Sequence, residues 1–273
     1  MTSHYFENAL VKLHYYKFGN GPQTMLCFHG YGMHGRQFKV LEPTLGAKYT
    51  FIGFDLFFHE GTVLQHQSLE TIKKRITKKQ FAALIVEFCE YVNIGRFSVI
   101  GYSMGSHYAT AVTEELADRV DEYIIAAPSS IDPGLLTRFF GKYKLGNKLM
   151  EKLTTSENAL RNIFNFFKRI GIIDETGRNI LQKEIGTAQL RFNLYACFIY
   201  LRLFETDETH LIKVLKQYHI RSIFIFGKRD KMYPPKIGKR FFAKFKQAEV
   251  LILDEDHEMI KPAFVSALTG LLL

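Results

Sequence analysis

Tryptophan is absent from this 273-residue chain, and cysteine is scarce, with three residues. Cys27, Cys89 and Cys197 are far apart and match neither a disulfide framework nor the spacing of a metal site, which indicates a reducing compartment. No apolar run reaches the roughly 18 residues that can cross a bilayer. The first residues lack the basic and apolar regions of a secretory signal. We therefore expect a cytoplasmic protein without stable membrane association.

Motifs that hold phosphates, dinucleotides or metal ions are also missing. The chain has no glycine-rich phosphate loop, no dinucleotide fingerprint and no cluster with metal-ligand spacing. We accordingly expect neither a cofactor nor a metal ion. The formal net charge is +9, but the lysines are spread along the chain and no nucleic-acid motif contains them. A solvated basic surface is the simpler interpretation, and it excludes nucleic acid as a partner.

The residues that are abundant indicate one large packed core. Hydrophobic residues make up 47% of the chain, and phenylalanine alone occurs 25 times. A chain of this length can bury one α/β core, or a core with a modest insertion. Short apolar runs at 24–28, 49–54, 97–100, 120–127, 221–227 and 250–253 predict buried strands, and the pattern at 79–92 predicts a helix. An alternating run at 9–18 predicts an edge hairpin that opens the sheet.

The most informative stretch is Ile-Gly-Tyr-Ser-Met-Gly-Ser at 100–106. It places Ser103 between Gly101 and Gly105, after a predicted strand and before a helical pattern at 104–116. A serine on so sharp a turn adopts strained backbone angles, and side chains on its neighbours would collide with the strand and the helix. Its hydroxyl is lifted clear of the sheet at a helix N-terminus, where negative charge is favoured. This context is typical of a nucleophile elbow.

Two further loops follow predicted strands. The strand at 24–28 ends in His29-Gly30-Tyr31-Gly32, and the loop can turn a backbone N–H, that of Tyr31, toward the serine. Together with the N–H of Met104 it would form an oxyanion hole. The strand at 49–54 ends in Asp55-Leu56-Phe57-Phe58-His59. We interpret His29, Asp55 and His59 as residues that shape these loops.

The order of strand, His-Gly loop, Asp loop, helix and Gly-x-Ser-x-Gly elbow resembles the α/β-hydrolase fold superfamily. The resemblance covers residues 1 to about 128 and resumes near 220. It implies a mostly parallel central sheet flanked by helices, with residues 1–128 and 220–273 as the core domain. Residues 129–219 carry helical patterns at 135–140, 145–153, 159–170, 180–185 and 189–204. In this superfamily such an insertion forms a helical cap over the active site.

The resemblance also implies a catalytic triad. Asp230 follows the strand at 221–227 where the family carries its acid, and His257 precedes the C-terminal helix where the family carries its base. The chain order Ser103, Asp230, His257 is that of the hydrolases. In such a triad His257 takes the proton of Ser103, and Asp230 fixes the imidazole tautomer. Serine in place of aspartate at the elbow argues against haloalkane dehalogenase and epoxide hydrolase chemistry.

These residues predict a serine esterase that cleaves a carboxylic ester, of a short to medium acyl chain or another small molecule, through an acyl-enzyme. The fold by itself does not select the substrate. A carbon–carbon bond hydrolase or lyase acting on an acidic small molecule is one alternative, because arginines and lysines are scattered through residues 129–219. A noncatalytic binding protein with the same fold is another. The expected partner is a small-molecule substrate, and the sequence leaves a homodimer open.

Overall fold

The computed structural model describes residues 1–134, 138–139, 143–156 and 186–273. Within them lies one mixed sheet whose strands are β1 (Thr2–Glu7), β2 (Val11–Phe18), β3 (Gln23–Phe28), β4 (Tyr49–Phe54), β5 (Val63–Leu64), β6 (Phe97–Tyr102), β7 (Val120–Ala126), β8 (Arg221–Gly227) and β9 (Glu249–Leu253). The order across the sheet is β1-β2-β4-β3-β6-β7-β8-β9, with β5 paired to β2. All neighbours from β4 to β9 are parallel, whereas β1, β2 and β5 pair antiparallel. The predicted mostly parallel sheet is confirmed.

The helices of the described residues are α1 (Glu42–Leu45), α2 (Leu69–Lys74), α3 (Lys78–Tyr91), α4 (Gly105–Glu115), α5 (Lys144–Thr155), α6 (Ala188–Tyr200), α7 (Glu208–Gln217), α8 (Lys239–Lys244) and α9 (Pro262–Leu272). Short 3₁₀ turns occupy Gln37–Leu41, Ala117–Arg119, Leu201–Phe204 and Pro235–Gly238. None of these helices is long and apolar enough to cross a membrane.

Local sequence signals explain where the helices beside the sheet begin. The Thr77 side chain accepts the Gln80 backbone N–H at the start of α3. The Gln80 side chain in turn accepts the Thr77 backbone N–H, which completes a capping box. The inner face of α3 buries Phe81, Leu84 and Phe88 at helical spacing. β6 is buried along its whole length because it lies in the middle of the sheet.

The first strands of the sheet differ from the prediction in one respect. The run at 9–18 does form an edge hairpin, but its partner is β1, which precedes it and pairs Thr2 with Lys17 and Glu7 with Lys12. The turn at 19–22 leads instead into β3, which is not a neighbour of β2 because β4 lies between them. The side chains of β1 are mostly exposed, so its sequence carries little of the apolar alternation that marks a strand.

The chain divides into two compact units. The first comprises Met1–His66, Thr77–Gly134 and Phe204–Leu273, and the second comprises Gln67–Ile76 and Leu135–Leu203. The predicted boundary at 129–219 therefore differs from these bounds, since α7 packs on α4 and belongs with the sheet. Residues 67–76, which contain α2, join the second unit instead.

The second unit is a helical insertion held together by its own contacts. Within this unit α6 packs against α2 and α5. The Ile76 backbone N–H donates to the Tyr200 carbonyl at 3.0 Å, and Lys73 forms an ion pair with Glu151 at 2.6 Å. The predicted helices at 145–153 and 189–204 correspond to α5 and to α6 with the turn after it. Those at 159–170 and 180–185, and most of that at 135–140, lie outside the described residues.

Candidate active site

Ser103 lies on the turn between β6 and α4 with a positive φ of 50°, a conformation that a residue with a Cβ rarely adopts. Its backbone N–H donates to the Ala126 carbonyl at 2.9 Å, which fixes the turn against the end of β7. The strained turn lifts the hydroxyl off the end of the sheet, as the nucleophile-elbow interpretation requires.

Both glycines of the motif are demanded by close backbone contacts. A Cβ at Gly105 would lie 1.9 Å from the Phe28 carbonyl oxygen, and one at Gly101 would lie 2.6 Å from the Gly105 carbonyl oxygen. α4 can therefore cross the ends of β3 and β6 only because these two positions carry no side chain. This close crossing is what places the N-terminus of α4 directly behind Ser103.

His257 reaches Ser103 from the loop between β9 and α9. Its Nε2 atom lies 3.1 Å from the Ser103 hydroxyl oxygen. The loop is tightened by a bond from the Met259 N–H to the His257 carbonyl at 2.9 Å. The histidine side chain keeps 26% of its exposure, whereas Ser103 is only 8% exposed. A base in this position can accept the serine proton and still face an incoming substrate.

Asp230 binds the other nitrogen of the same ring. Its Oδ2 atom lies 2.8 Å from His257 Nδ1, and its Oδ1 atom accepts the backbone N–H groups of Met232 and Tyr233 at 2.8 and 2.9 Å. Burial by itself raises the pKa of the Asp230 carboxyl, but the hydrogen bonds from His257 and from these backbone groups outweigh it and leave the pKa below its usual value. The ionised carboxylate holds the proton on Nδ1, so Nε2 is free to accept from Ser103.

Two aspartates of the loop that carries His257 point elsewhere. Asp254 pairs with Arg229 at 3.3 Å, and Asp256 pairs with Lys261 at the same distance. Both carboxylates are exposed. Although they stand next to His257 in the sequence, the described contacts of its ring nitrogens are with Ser103 and Asp230.

The His-Gly loop is organised by two buried, neutral histidines. His29 donates from Nδ1 to the Gly30 carbonyl at 2.7 Å and accepts the Leu56 N–H on Nε2 at 3.0 Å. His59 donates from Nδ1 to the Phe57 carbonyl at 2.9 Å and accepts the Gly32 N–H on Nε2 at 3.1 Å. Burial lowers the pKa of both rings. These bonds support the interpretation that both histidines shape loops.

The predicted oxyanion donors belong to the two loops that flank Ser103. β3 and β6 are parallel neighbours, with Phe28 opposite Gly101, so the loops that follow them leave the sheet side by side. A Cβ at Gly30 would lie 3.7 Å from the Ser103 Cβ, which brings the residue before Tyr31 next to the serine. Met104 caps the N-terminus of α4. That the Tyr31 and Met104 N–H groups bind an oxyanion stays a prediction.

A second hydrogen-bonded series of serine, histidine and aspartate lies on strands β1 and β2 and on the loop after β4. The Ser3 hydroxyl is 2.7 Å from His14 Nε2, and His14 Nδ1 is 2.5 Å from Asp55 Oδ2. Asp55 is fully buried and also accepts the N–H groups of Gly35 and Gly61 at 2.7 and 3.1 Å. Ser3 lies on edge strand β1 with ordinary extended pairing, without a strained turn or a helix N-terminus behind it. We therefore assign this series to loop structure, as expected for Asp55.

Sequence reasoning did not identify Tyr102, whose hydroxyl binds the His257 backbone. It occupies a variable position of the Gly-x-Ser-x-Gly motif, and its partner is 155 residues away. No local signal indicates such a contact. Among the described residues, no group of three or more histidine, cysteine or acidic side chains is arranged to hold a metal ion.

Comparison with known proteins places the chain in a wider group. The family model described as alpha/beta hydrolase fold matches residues 23–262. YugF, an uncharacterized hydrolase of Bacillus subtilis (strain 168), is 22% identical over 94% of this chain and 92% of its own length. The 2-hydroxy-6-oxononadienedioate/2-hydroxy-6-oxononatrienedioate hydrolase of Paraburkholderia xenovorans (strain LB400) is 25% identical over 89% of this chain and 82% of its own.

Solved structures agree on the fold. A thermophilic esterase from Thermogutta terrifontis, determined with malate bound, superimposes with a TM-score of 0.60 at 17% identity and covers 96% of this chain and 91% of its own. At this level of identity the likeness concerns the fold alone. With the family model spanning most of the sequence, the chain belongs to the α/β-hydrolase fold family.

Proposed function

We propose that this protein is a serine hydrolase that cleaves a carboxylic ester through an acyl-enzyme. The observation that carries the proposal is the continuous hydrogen-bonded series from the Ser103 hydroxyl through His257 to the buried Asp230, on a serine held at a φ of 50°. A serine hydroxyl is a weak nucleophile unless a positioned base removes its proton, and this series supplies both the base and the group that orients it.

The reaction follows from these positions. Ser103 attacks the ester carbonyl carbon while His257 Nε2 accepts the hydroxyl proton. The negative charge moves to the carbonyl oxygen, where the N–H groups of Tyr31 and Met104 are proposed to stabilise it. His257 then returns the proton to the departing alcohol, which leaves an acyl group on Ser103. A water molecule, deprotonated by the same histidine, releases the acid and restores the serine.

We propose further that the substrate is a small uncharged or acyl molecule, bound in an apolar pocket without a cofactor. An apolar pocket gains about 0.8 kcal/mol for each methylene that it buries. Efficiency on p-nitrophenyl esters should therefore rise with acyl length from acetate and fall once the chain outgrows a closed cavity. The expected optimum lies at short to medium chains.

A carbon–carbon bond hydrolase is the second candidate, and the similarity to the 2-hydroxy-6-oxononadienedioate/2-hydroxy-6-oxononatrienedioate hydrolase over 89% of this chain favours it. That protein, by its name, acts on a dicarboxylate. Measurements of kcat/KM on a series of esters and on an acidic ring-cleavage product distinguish the two candidates. Turnover of an acidic ring-cleavage product together with no turnover of any ester would replace the ester proposal with the carbon–carbon one.

The nucleophile is tested with a fluorophosphonate probe. We expect one mass label on the wild type, located on Ser103, and none on the Ser103→Ala variant. Ser3→Ala is the matched control, because Ser3 also contacts a histidine bound to aspartate and yet should label like the wild type. Equal labelling of the wild type and Ser103→Ala would exclude Ser103 as the nucleophile. A wild type that takes no label and turns over neither an ester nor an acidic ring-cleavage product would indicate the noncatalytic alternative.

A further inference from the structure

β9 forms an open, apolar edge of the sheet. It pairs with β8 on one side and ends the strand order in the described residues. Val250 and Ile252 are 42% and 56% exposed, whereas Leu251 and Leu253 pack partly against the core. An edge strand with exposed apolar side chains is a template for pairing with another strand, and proteins normally blunt such an edge with charge, proline or a bulge. The apolar centre of β9 carries none of these devices.

The unused backbone groups of β9 can be identified from its contact with β8. The Lys228 N–H, which follows β8, donates to the Leu253 carbonyl at 2.8 Å, so Leu253 directs its backbone groups inward. Successive residues of a strand direct these groups to opposite sides. Val250 and Ile252 are therefore the two residues of β9 whose N–H and C=O groups point to the open side. They are also the two with the most exposed side chains in the strand.

The charges at the two ends of β9 are opposite. Lys246 is exposed and lies three residues before the strand, while Asp254 and Asp256 follow it. Arg229 and Lys261 contact these two acids, but the Asp254 and Asp256 side chains remain 75% and 60% exposed. The first residue of β9 is acidic but is paired with an arginine at 2.7 Å. The remaining charge is positive before β9 and negative after it, which is complementary to an antiparallel copy of the same segment. Parallel pairing would instead bring like charges together.

We propose that the edge of β9 is an interface with a second copy of this chain, in which the two β9 strands pair antiparallel about a two-fold axis at Leu251. Only this register pairs all five residues of Glu249–Leu253. Val250 then forms a hydrogen-bonded pair with Ile252 of the partner subunit, and the reciprocal pair completes the ladder. Lys246 comes opposite Asp256 of the partner subunit. The two-fold axis makes the contact self-complementary, as closed dimers require. The inference does not depend on the chemistry at Ser103.

Cysteine cross-linking tests the register. The Leu251 pair at the axis is not hydrogen-bonded, so its Cα atoms lie about 4.5 Å apart and Leu251→Cys can form a disulfide between the subunits. The two copies of residue 252 are diagonal, beyond about 7 Å, so Ile252→Cys should cross-link poorly. Ile252 is the more exposed position, and random collision would therefore cross-link Ile252→Cys first. The native cysteines are all buried and should not compete.

We expect at least about tenfold more covalent dimer from Leu251→Cys than from Ile252→Cys under mild oxidation. Equal cross-linking, or a preference for Ile252→Cys, would overturn the register.

Sedimentation of the full chain without added cysteines tests the interface itself. The wild type should dimerise with increasing concentration, and Ile252→Lys should raise the dimer Kd at least about tenfold because it places a charge in the apolar centre. Val63→Lys is the matched control, since Val63 is 49% exposed on β5 and lies away from β9, and it should dimerise like the wild type.

The charge pair is tested in the same experiment. Lys246→Glu should weaken the dimer, and the double variant Lys246→Glu with Asp256→Lys should strengthen it again. A wild type that stays monomeric at all concentrations, or an Ile252→Lys variant that dimerises unchanged, would refute the interface.

Discussion

The hydroxyl of Tyr102 lies 2.5 Å from the backbone carbonyl oxygen of His257, so the residue before the proposed nucleophile holds the backbone of the proposed base. The two rings are also close, with centroids 5.5 Å apart. Gly30 makes room for this arrangement, because a Cβ there would lie 2.7 Å from the Tyr102 ring. Burial raises the pKa of the Tyr102 hydroxyl, so this hydroxyl is protonated and can donate at neutral pH.

Removing this hydroxyl should affect catalysis more than binding. In Tyr102→Phe the ring packing remains, but the His257 loop loses its anchor, and small displacements of catalytic groups are costly in rate. We expect kcat on an ester substrate to fall about tenfold while KM changes less than about twofold. Tyr123→Phe is the control, since it removes a buried hydroxyl that bonds Thr110 at 2.6 Å. If Tyr123→Phe lowers kcat equally, the effect of Tyr102 reflects general destabilisation.

Asp230, rather than the aspartates that lie near His257 in the sequence, should control the tautomer of the histidine. Asp230→Asn replaces the acceptor of the Nδ1 proton with an amide and should lower kcat about 10⁴-fold, as expected for a histidine held in the wrong tautomer. Asp254→Asn alters an exposed carboxylate that contacts Arg229 and should leave kcat within about twofold. Circular dichroism and steady-state kinetics on both variants are the measurements. If Asp254→Asn loses activity and Asp230→Asn keeps the kcat of the wild type, Asp254 is the acid that orients His257.

Acid should destabilise the fold through His29. Burial lowers its pKa below the ordinary value of 6.5, so the unfolded chain takes up this proton before the folded protein does. The stability that His29 contributes is therefore present above about pH 6.5 and is lost as the pH falls below it, by about 1.4 kcal/mol for each pH unit. Protonation would also place a second donor against the Leu56 N–H.

Urea unfolding between pH 7 and pH 5 measures this effect. His29→Gln should be less stable than the wild type at pH 7 but should lose less free energy of unfolding as the pH falls. His66→Gln changes an exposed histidine and should keep the dependence of the wild type. If the slopes of the wild type and His29→Gln are the same, the His29 ring does not govern acid stability.

The crossing of α4 over the sheet should not tolerate a single added methyl group at Gly105. A Cβ there would lie 1.9 Å from the Phe28 carbonyl oxygen and 2.5 Å from that of His29, and backbone cannot move aside cheaply. We expect Gly105→Ala to lose about 3 kcal/mol or more of unfolding free energy, or to be insoluble. Gly95→Ala, which meets nothing within 4 Å, should stay within about 1 kcal/mol of the wild type. Thermal unfolding of the two variants compares them directly.

The fold could be predicted because its signals are local. The buried strands are continuous apolar runs, so Tyr49–Phe54 and Arg221–Gly227 have the bounds expected from sequence. The elbow is a five-residue motif whose glycines are explained by contacts within the turn and the elements beside it. β1 was missed because its side chains are exposed and its strand character comes from pairing with β2.

What the amino-acid sequence determined by itself was the order of elements and the chemical types at the ends of the strands. Gly-x-Ser-x-Gly, the acid after β8 and the histidine after β9 are readable because each follows a recognisable strand. Only the tertiary structure decided which atoms meet. The 3.1 Å contact of Ser103 with His257, the 2.8 Å contact of His257 with Asp230, and the bond from Tyr102 to the His257 carbonyl all join residues far apart in the chain. Parallel strands bring their carboxyl ends to one edge of the sheet, and distances at that edge depend on packing, which no local pattern encodes.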